Sequence, residues 1–222
     1  MRVLNRFLLG AALLLVGASR AGATPLNLVL PAFPDILSQF VDVQYTAATG
    51  AFTANGVALQ IGVTPGTTFT ILDGTLSVGI TTNGTTTSGI AGDDLSIVGG
   101  IDVNNDGVAD ATGTLLTGEI SQFGSSTSGP GVFEFVFDVT GGLLTGGSFP
   151  LFTKSQAGLI LGADGNSTFT GSFASDFSNL IGGQAGTGTG SADTAPVPEP
   201  TTLLLLGSGI AGLVGFGRRE RR

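Results

Sequence analysis

Alternation of apolar and polar residues dominates the middle of the chain and is the feature that most constrains its fold. Phe133, Phe135 and Phe137 fall on one side of an extended segment. Glu134 and Asp138 fall on the other side. Side chains of a β-strand alternate between two faces, so this period of two indicates a strand with one buried face. An amphipathic α-helix would require an apolar period near 3.6.

The same alternation recurs along the chain between segments that favour turns. Gly accounts for 38 of 222 residues, and this composition favours strands and turns over helices. The predicted strands cover residues 41–45, a return strand from Phe52, and residues 69–80, 95–103, 114–123, 132–139, 158–161 and 168–173. Ala163-Asp164-Gly165-Asn166 predicts a hairpin turn between the last two strands. Residues 35–40 are the one candidate for a turn of helix.

These short strands predict an all-β fold, an antiparallel β-sandwich or jelly-roll-like domain. A β-solenoid is the alternative because Gly and Thr are so frequent, although no repeat of fixed length is present. The predicted β-rich extracellular domain covers residues 24–182. Residues 183–195 are rich in Gly, Ser and Thr and are predicted to form a flexible linker.

The charge and the missing residue types exclude several classes of function. Residues 24–200 contain 15 of the 16 acidic residues and a single basic residue, Lys154. Such a surface repels phosphate backbones, so we predict that nucleic acid is not a partner. The chain contains no Cys and no His, which excludes thiol nucleophiles and Ser-His-Asp triads. We therefore predict that the protein is not an enzyme, with a carboxylate-only glycoside hydrolase as the remaining catalytic alternative.

The start of the chain has the three parts of a secretory signal peptide. Two arginines precede an apolar run at residues 7–17, which is too short to span a bilayer comfortably. Ala21 and Ala23 then supply the small residues that signal peptidase reads. We predict a signal peptide of residues 1–23, with cleavage after Ala23 leaving Thr24 as the new N-terminus.

The end of the chain, residues 196–222, also has three parts. Val197-Pro198-Glu199-Pro200 is extended because each proline fixes its own φ and restricts the residue before it. Residues 203–216 are apolar and uncharged, and predict a transmembrane helix at the short end of the usual range. A basic cluster closes the chain and should stay in the cytoplasm: Arg218, Arg219, Arg221 and Arg222.

This three-part tail resembles the PEP-CTERM sorting signal of Gram-negative bacteria. The resemblance implies that an exosortase, a membrane-embedded cysteine transpeptidase-like enzyme, processes the chain near Pro198, Glu199 and Pro200. These residues are then substrate and not catalyst. The resemblance also implies an intermediate anchored in the inner membrane, followed by the cell surface or extracellular matrix. Proteins with such tails typically come from species that secrete exopolysaccharide and form biofilms.

Residues 102–110 match much of a calcium-binding loop. Oxygen-bearing side chains occupy loop positions 1, 3, 5 and 9: Asp102, Asn104, Asp106 and Asp110. Gly107 stands at position 6, and Val108 offers its backbone carbonyl at position 7. Position 12 is Gly113 where the motif has Glu, so Glu119, Asp94 or water would have to complete the site. The pattern predicts a weak Ca²⁺ site, and a plain hairpin loop rich in Asx and Gly is the alternative.

Taken with the tail, these features predict an exported structural or interaction protein linked to exopolysaccharide or biofilm. A calcium-stabilised carbohydrate-binding module or adhesin is the alternative, followed by a carboxylate-only glycoside hydrolase. The predicted partners are signal peptidase and exosortase as processing enzymes, the inner membrane in transit, and exopolysaccharide.

Overall fold

The computed structural model describes residues 23–126 and 128–197. Within these ranges the chain forms ten β-strands and two single 3₁₀ turns, Leu143–Thr145 and Ile181–Gly183. The strands are β1 (Asp35–Thr46), β2 (Ala51–Thr64), β3 (Thr67–Thr82), β4 (Thr87–Gly89), β5 (Leu95–Asp102), β6 (Ala111–Ser125), β7 (Val132–Gly141), β8 (Gln156–Gly162), β9 (Phe177–Ser178) and β10 (Gly190–Pro196). The all-β prediction is confirmed.

In the described ranges no helix has the length and apolar character needed to cross a membrane. The predicted transmembrane helix at 203–216 lies outside these ranges, as do residues 1–22 of the predicted signal peptide.

Eight of the strands form one closed, barrel-like antiparallel sheet. Their order is β1-β2-β3-β5-β6-β7-β8-β10, and β10 pairs again with β1. The short strands β4 and β9 add to β3 and β1 respectively. The predicted antiparallel pairing is present, but the sheet closes on itself and forms neither two facing sheets nor a solenoid. The cause is the pairing of the first long strand with the last, which leaves the ring without a long open edge.

Phenylalanines fill much of the interior of the ring. Phe133, Phe135 and Phe137 of β7 are fully buried, as the alternation predicted. Phe133 stacks on Phe177 with ring centroids 5.7 Å apart, and Phe52 meets Phe133 edge-on at 4.9 Å. Such aromatic pairs contribute about 0.5–1.5 kcal/mol each beyond the area they bury. The interpretation of these phenylalanines as core is confirmed.

The antiparallel order gives the ring two ends with different chain segments. At one end lie residues 31–34, the turn at 65–66, the loops 103–110 and 142–155, and the point where β10 ends. We call this the exit end. The loop 142–155 crosses it, because Phe149 meets Phe69 of β3 with ring centroids 6.3 Å apart. The far end carries the loops 47–50, 83–94 and 163–176.

Residues 35–40 are the first half of β1, so the predicted turn of helix is wrong. Ile36 pairs with Ile61 on one side and with Thr194 on the other. A helix would give up both sets of strand pairs, which is why tertiary pairing overrides the local preference. The irregularity that weakened the alternation is a bulge at Phe40, whose φ is 54°.

Part of the predicted linker, residues 183–195, is strand, and that part of the prediction is wrong. Gly190–Pro196 is β10, which pairs with β1 and β8. A Cβ atom at Gly190 would lie 2.7 Å from the carbonyl oxygen of Val41 and 2.9 Å from that of Gly162. The small residues that suggest a linker therefore fit the narrow space between two neighbouring strands.

Residues 168–173 do not form the predicted return strand. Both edges of β8 are already paired, one with β7 and the other with β10. Phe169 and Phe173 are buried among the aromatic rings of the core without belonging to a strand. The turn itself is present, because the N–H of Ser167 donates to the carbonyl oxygen of Asp164 at 3.0 Å.

Candidate functional site

The last strand carries the chain directly to the predicted sorting motif. The N–H of Val197 donates to the carbonyl oxygen of Gln156 at 3.0 Å, one residue beyond the end of β10. Its side chain packs over Gly158, where a Cβ atom would lie 3.2 Å from Val197 Cγ2. Val197 is thus held on the sheet. The other predicted sorting residues lie outside the described ranges: Pro198, Glu199, Pro200, Arg218, Arg219, Arg221 and Arg222.

Two carboxyl groups lie close together where β1 and β10 close the ring. Asp193 pairs with Leu37, and Asp35 lies two residues earlier on the same face of β1. Burial, and after it the negative charge of Asp193, raise the pKa of Asp35 to about 6. Burial also raises the pKa of Asp193. Both carboxyl groups therefore favour the protonated form more than a solvated carboxyl does.

Unpartnered polar atoms collect at the same pair of strands. In the described ranges three buried side-chain oxygens have no hydrogen-bond partner: Asp35 Oδ1, Ser38 Oγ and Thr194 Oγ1. All three belong to β1 or β10. A buried polar atom without a partner costs about 1–3 kcal/mol. The β1–β10 pair, which we call the closing seam, thus combines backbone pairing with poorly satisfied side chains.

Residues 23–34 form an extended strap on the outer face of the sheet, and Glu134 binds it. The N–H groups of Leu26 and Asn27 donate to Glu134 Oε2 at 2.6 and 3.1 Å. The N–H of Leu28 donates to Oε1 at 2.9 Å. Glu134 faces outward, as predicted, but the strap leaves it only 8% exposed. One carboxylate therefore satisfies three backbone donors that would otherwise be partly buried without a partner.

The predicted signal peptidase product begins where the strap begins. The hydroxyl of Ser125 donates to the carbonyl oxygen of Ala23 at 3.5 Å. A Cβ atom at Gly124 would lie 2.6 Å from the carbonyl oxygen of Thr24. Thr24 therefore lies against the end of β6, at the far end of the ring. Ala21 lies outside the described ranges.

The loop from Asp102 to Asp110 is held by its own backbone. Asp102 accepts from the N–H groups of Asp106 at 3.2 Å and Gly107 at 2.8 Å. Asp106 accepts from the N–H of Val108, and Asp110 accepts from that of Val103, each at 2.8 Å. Asn104 joins them, because its Oδ1 accepts from the N–H of Asp106 at 3.0 Å.

These contacts match the alternative interpretation of the loop as an Asx-rich turn. Across the part of the chain that the structure describes, no three His, Cys, Asp or Glu side chains are grouped to hold a metal ion. Calcium binding by this loop stays a prediction from the sequence.

Glu119 and Asp94, the acids considered as extra calcium ligands, are close to each other elsewhere on the sheet. Partial desolvation, and then the neighbouring Asp94, raise the pKa of Glu119. Asp94 is buried and accepts from the N–H groups of Ile90 at 2.6 Å and Ile120 at 2.8 Å. Both oxygens of Asp94 are thus used to fix neighbouring backbone, which gives this carboxylate a structural role.

A family model described as the PEP-CTERM protein-sorting motif matches residues 196–222. The chain carries a PEP-CTERM sorting signal. The PEP-CTERM match begins at Pro196, which is also the last residue of β10, so the signal and the folded sheet share a residue. A PEP-CTERM signal marks an exported, surface-directed protein that an exosortase processes. Comparisons with curated proteins and with solved structures found no match.

Sequence reasoning missed two features next to this PEP-CTERM signal. β10 follows a weak period of two, with Ala192 and Thr194 facing inward and Ser191 and Asp193 facing outward. That alternation was the available signal, but the small residues concealed it. No local sequence pattern indicates the contact of Glu134 with the strap, because the contact joins segments more than a hundred positions apart.

Proposed function

We propose that the mature protein is a structural or interaction component of the cell surface or extracellular matrix and associates with exopolysaccharide. It passes through an intermediate anchored in the inner membrane, which exosortase processes. The observation that carries the proposal is the PEP-CTERM signal at the end of a closed sheet whose interior is filled by its own side chains. Such a domain suits a stable exported building block.

Two further observations support a non-catalytic role. The sequence has no His and no Cys, which are the usual general base and nucleophiles. Four buried acids accept hydrogen bonds from backbone N–H groups, and this use favours structural roles for them: Asp42, Asp94, Asp102 and Glu134.

A carbohydrate-binding module or adhesin stabilised by calcium is the second candidate. The loop 103–110 favours it, because the loop is exposed at the exit end and offers Asn104, Asp106 and Asp110 to solvent. Amide and carboxylate groups of this kind can bind sugar hydroxyls. Hydrolysis by carboxylates alone remains the third candidate, and the glycan experiment below separates all three.

The sorting step is tested by changing the tail in cells that contain the exosortase. Glu199→Ala, or replacement of all four tail arginines by Gln, should cause unprocessed protein to accumulate in the membrane. Glu220→Ala is the matched control, because it removes a tail carboxylate outside the Pro-Glu-Pro motif and should leave processing normal. Normal processing of both test variants would refute sorting by exosortase.

Association with the matrix is tested by co-sedimentation of the mature protein with the host's exopolysaccharide. Binding that is unchanged by a chelator supports the matrix role. Binding that requires calcium and is lost in Asp106→Ala supports the second candidate, and breakdown of the glycan supports the third. Absence of binding would remove exopolysaccharide as a partner.

Removal of the signal peptide is tested by sequencing the N-terminus of the exported protein. The first residue should be Thr24, since Ala21 and Ala23 are the small residues that signal peptidase reads. An exported protein that retains residues 7–17 would contradict this cleavage site.

A further inference from the structure

The chain between the folded sheet and the predicted membrane segment is very short. Val197 is fixed on β8, and the uncharged apolar run starts at Leu203. The six Cα–Cα steps between them can span at most about 20 Å. The three residues 198–200 that exosortase is expected to recognise lie within about 10 Å of Val197. No tether separates the recognition motif from the domain.

This length sets which end of the ring faces the membrane before processing. β10 runs from Gly190 toward the exit end at Pro196, a length of about 20 Å for its six steps. If the far end faced the membrane, the segment from Val197 to Leu203 would have to run back along the whole length of β10. It would also have to pass the loops at the far end before it reached the membrane. The available segment is too short for this path, so the exit end faces the membrane.

Release of β10 from the sheet would lengthen the segment between the folded domain and the membrane. The pairing of β10 with its two neighbouring strands opposes this release. β10 is paired along one edge with β1 and along the other with β8. Ala192, Thr194 and Ala195 are buried in the ring. Removing the strand would expose these residues and leave two unpaired edges, so the motif is presented while the domain is closed.

We propose that the exit end is the surface of this protein that contacts exosortase during processing, and this proposal rests on the proposed sorting function. An enzyme that binds residues 198–200 must come within about 10 Å of Val197. The exit-end segments next to β10 in the ring are residues 31–34, which lead into β1, and the loop 142–155, which leads into β8. The turn at 65–66 and the loop 103–110 lie farther round the same end. Exosortase is thus expected to contact the folded exit end while it binds the linear motif.

Charge favours a protein partner over the lipid surface. Asp106 and Asp110 are exposed in the loop 103–110 at the exit end. Anionic lipid headgroups repel a carboxylate-bearing surface, whereas basic side chains of an enzyme attract it. Val108, which is 68% exposed between the two acids, adds an apolar contact that a protein surface can cover. The expected partner surface is therefore basic with an apolar patch.

The experiment is photo-cross-linking of the full-length precursor in cells, with an exosortase that lacks its nucleophile and so retains its substrate. A benzophenone amino acid is placed at exposed positions of the exit end, Thr67 or Val108, and of the far end, Ala48 or Ser175. We expect adducts with exosortase from the exit end to exceed those from the far end by about tenfold. Equal adducts from both ends, adducts mainly from the far end, or adducts with lipid alone would overturn the proposal.

A linker variant tests the cause of this orientation. Twenty Gly and Ser residues inserted between Val197 and Pro198 should allow either end to approach the enzyme, so the preference should fall to about equal. A preference that persists at tenfold would overturn the argument from tether length. Processing of the full-length precursor and of Glu199→Ala by active exosortase keeps the two proposals distinct. If processing depends on Glu199 but the exit end gives no excess of cross-links, only the proposed contact surface is refuted. If processing does not depend on Glu199, the proposed sorting function is refuted.

Discussion

The strap and the closing seam both join distant parts of the chain, yet their polar groups are satisfied very differently. At the strap, the Glu134 carboxylate accepts three backbone N–H groups. At the closing seam, Asp35 has one buried oxygen without a partner, and its pKa is raised to about 6. Burial is common to both sites, and the supply of donors is the difference.

A buried carboxylate therefore stabilises this fold only where several backbone N–H groups donate to it. Hydrogen bonds to a charged group contribute about 1.5–3 kcal/mol, whereas a buried polar atom without partners costs a similar amount. The closing seam is therefore held by backbone pairing and by the burial of apolar side chains such as Ile36, Val41 and Ala192.

Removal of the closing strand should destroy the cooperative fold. A chain that ends at Thr189 loses β10, which exposes the edges of β1 and β8. We expect it to lose most of the roughly 5–15 kcal/mol that is typical of a domain's stability. Thermal unfolding followed by circular dichroism measures this, with a chain that ends at Val197 as the control. Equal melting temperatures of the two chains would show that closure is dispensable.

Glu134→Gln should destabilise the protein by about 3 kcal/mol, because a neutral amide cannot accept three N–H donors. Denaturant unfolding at pH 7 gives the free energy. Asp138→Asn is the matched control on the same strand, since Asp138 is exposed and accepts from the side-chain amide of Gln156. The control should change stability by less than about 0.5 kcal/mol. A loss of similar size in both variants would argue against a special role for the strap contact.

Asp35→Asn should stabilise the protein by about 1 kcal/mol at pH 7, after allowance for solvent screening of this half-buried group. The pKa of Asp35 is about 6 in the fold and 3.8 in the unfolded chain. The stability that this carboxyl contributes is therefore complete below about pH 4 and is lost as the pH rises through 6. The advantage of the Asp35→Asn variant should accordingly vanish near pH 4. An advantage that is independent of pH would point to packing instead of ionisation.

Thr194→Val should stabilise the protein by about 0.5–1 kcal/mol, because it replaces a buried hydroxyl without a partner by a methyl group of similar size. Thr114→Val on the exposed side of β6 is the control and should have little effect. Differential scanning calorimetry at a fixed pH is sufficient. Clear destabilisation by the Thr194→Val substitution would mean that the hydroxyl has a partner after all.

Calcium separates the two interpretations of the loop 102–110. Its carboxylates already accept backbone N–H groups, so the Asx-rich turn predicts that 10 mM Ca²⁺ shifts the melting temperature by less than about 1 °C. Asp106→Ala and a chelator are the controls. A site with a Kd of about 10⁻⁴–10⁻³ M would raise the melting temperature by several degrees. Such a rise in the wild type, lost in Asp106→Ala, would establish the calcium site.

The sequence predicts the strands whose pattern is local and fails where a distant neighbour decides. The alternation at Phe133, Phe135 and Phe137 places β7 correctly because one face packs in the core. β10 and the first half of β1 lack large apolar residues at regular spacing, so their pairing with each other cannot be read from either segment alone. The sorting signal is the reverse case, since its three parts follow one another along the chain and can be identified without the fold. Its direct attachment to the sheet, however, is visible only in three dimensions.

The closing seam also sets the timing of folding during export. The first strand in the chain, β1, pairs along much of its second edge with the last strand, β10. Contacts between such distant positions form late. The conformational entropy of the intervening chain must be lost before these contacts can contribute a favourable free energy. Until then β1 offers an open edge to other chains. The domain therefore completes its fold only when the chain as far as residue 196, where the sorting signal begins, is available for pairing.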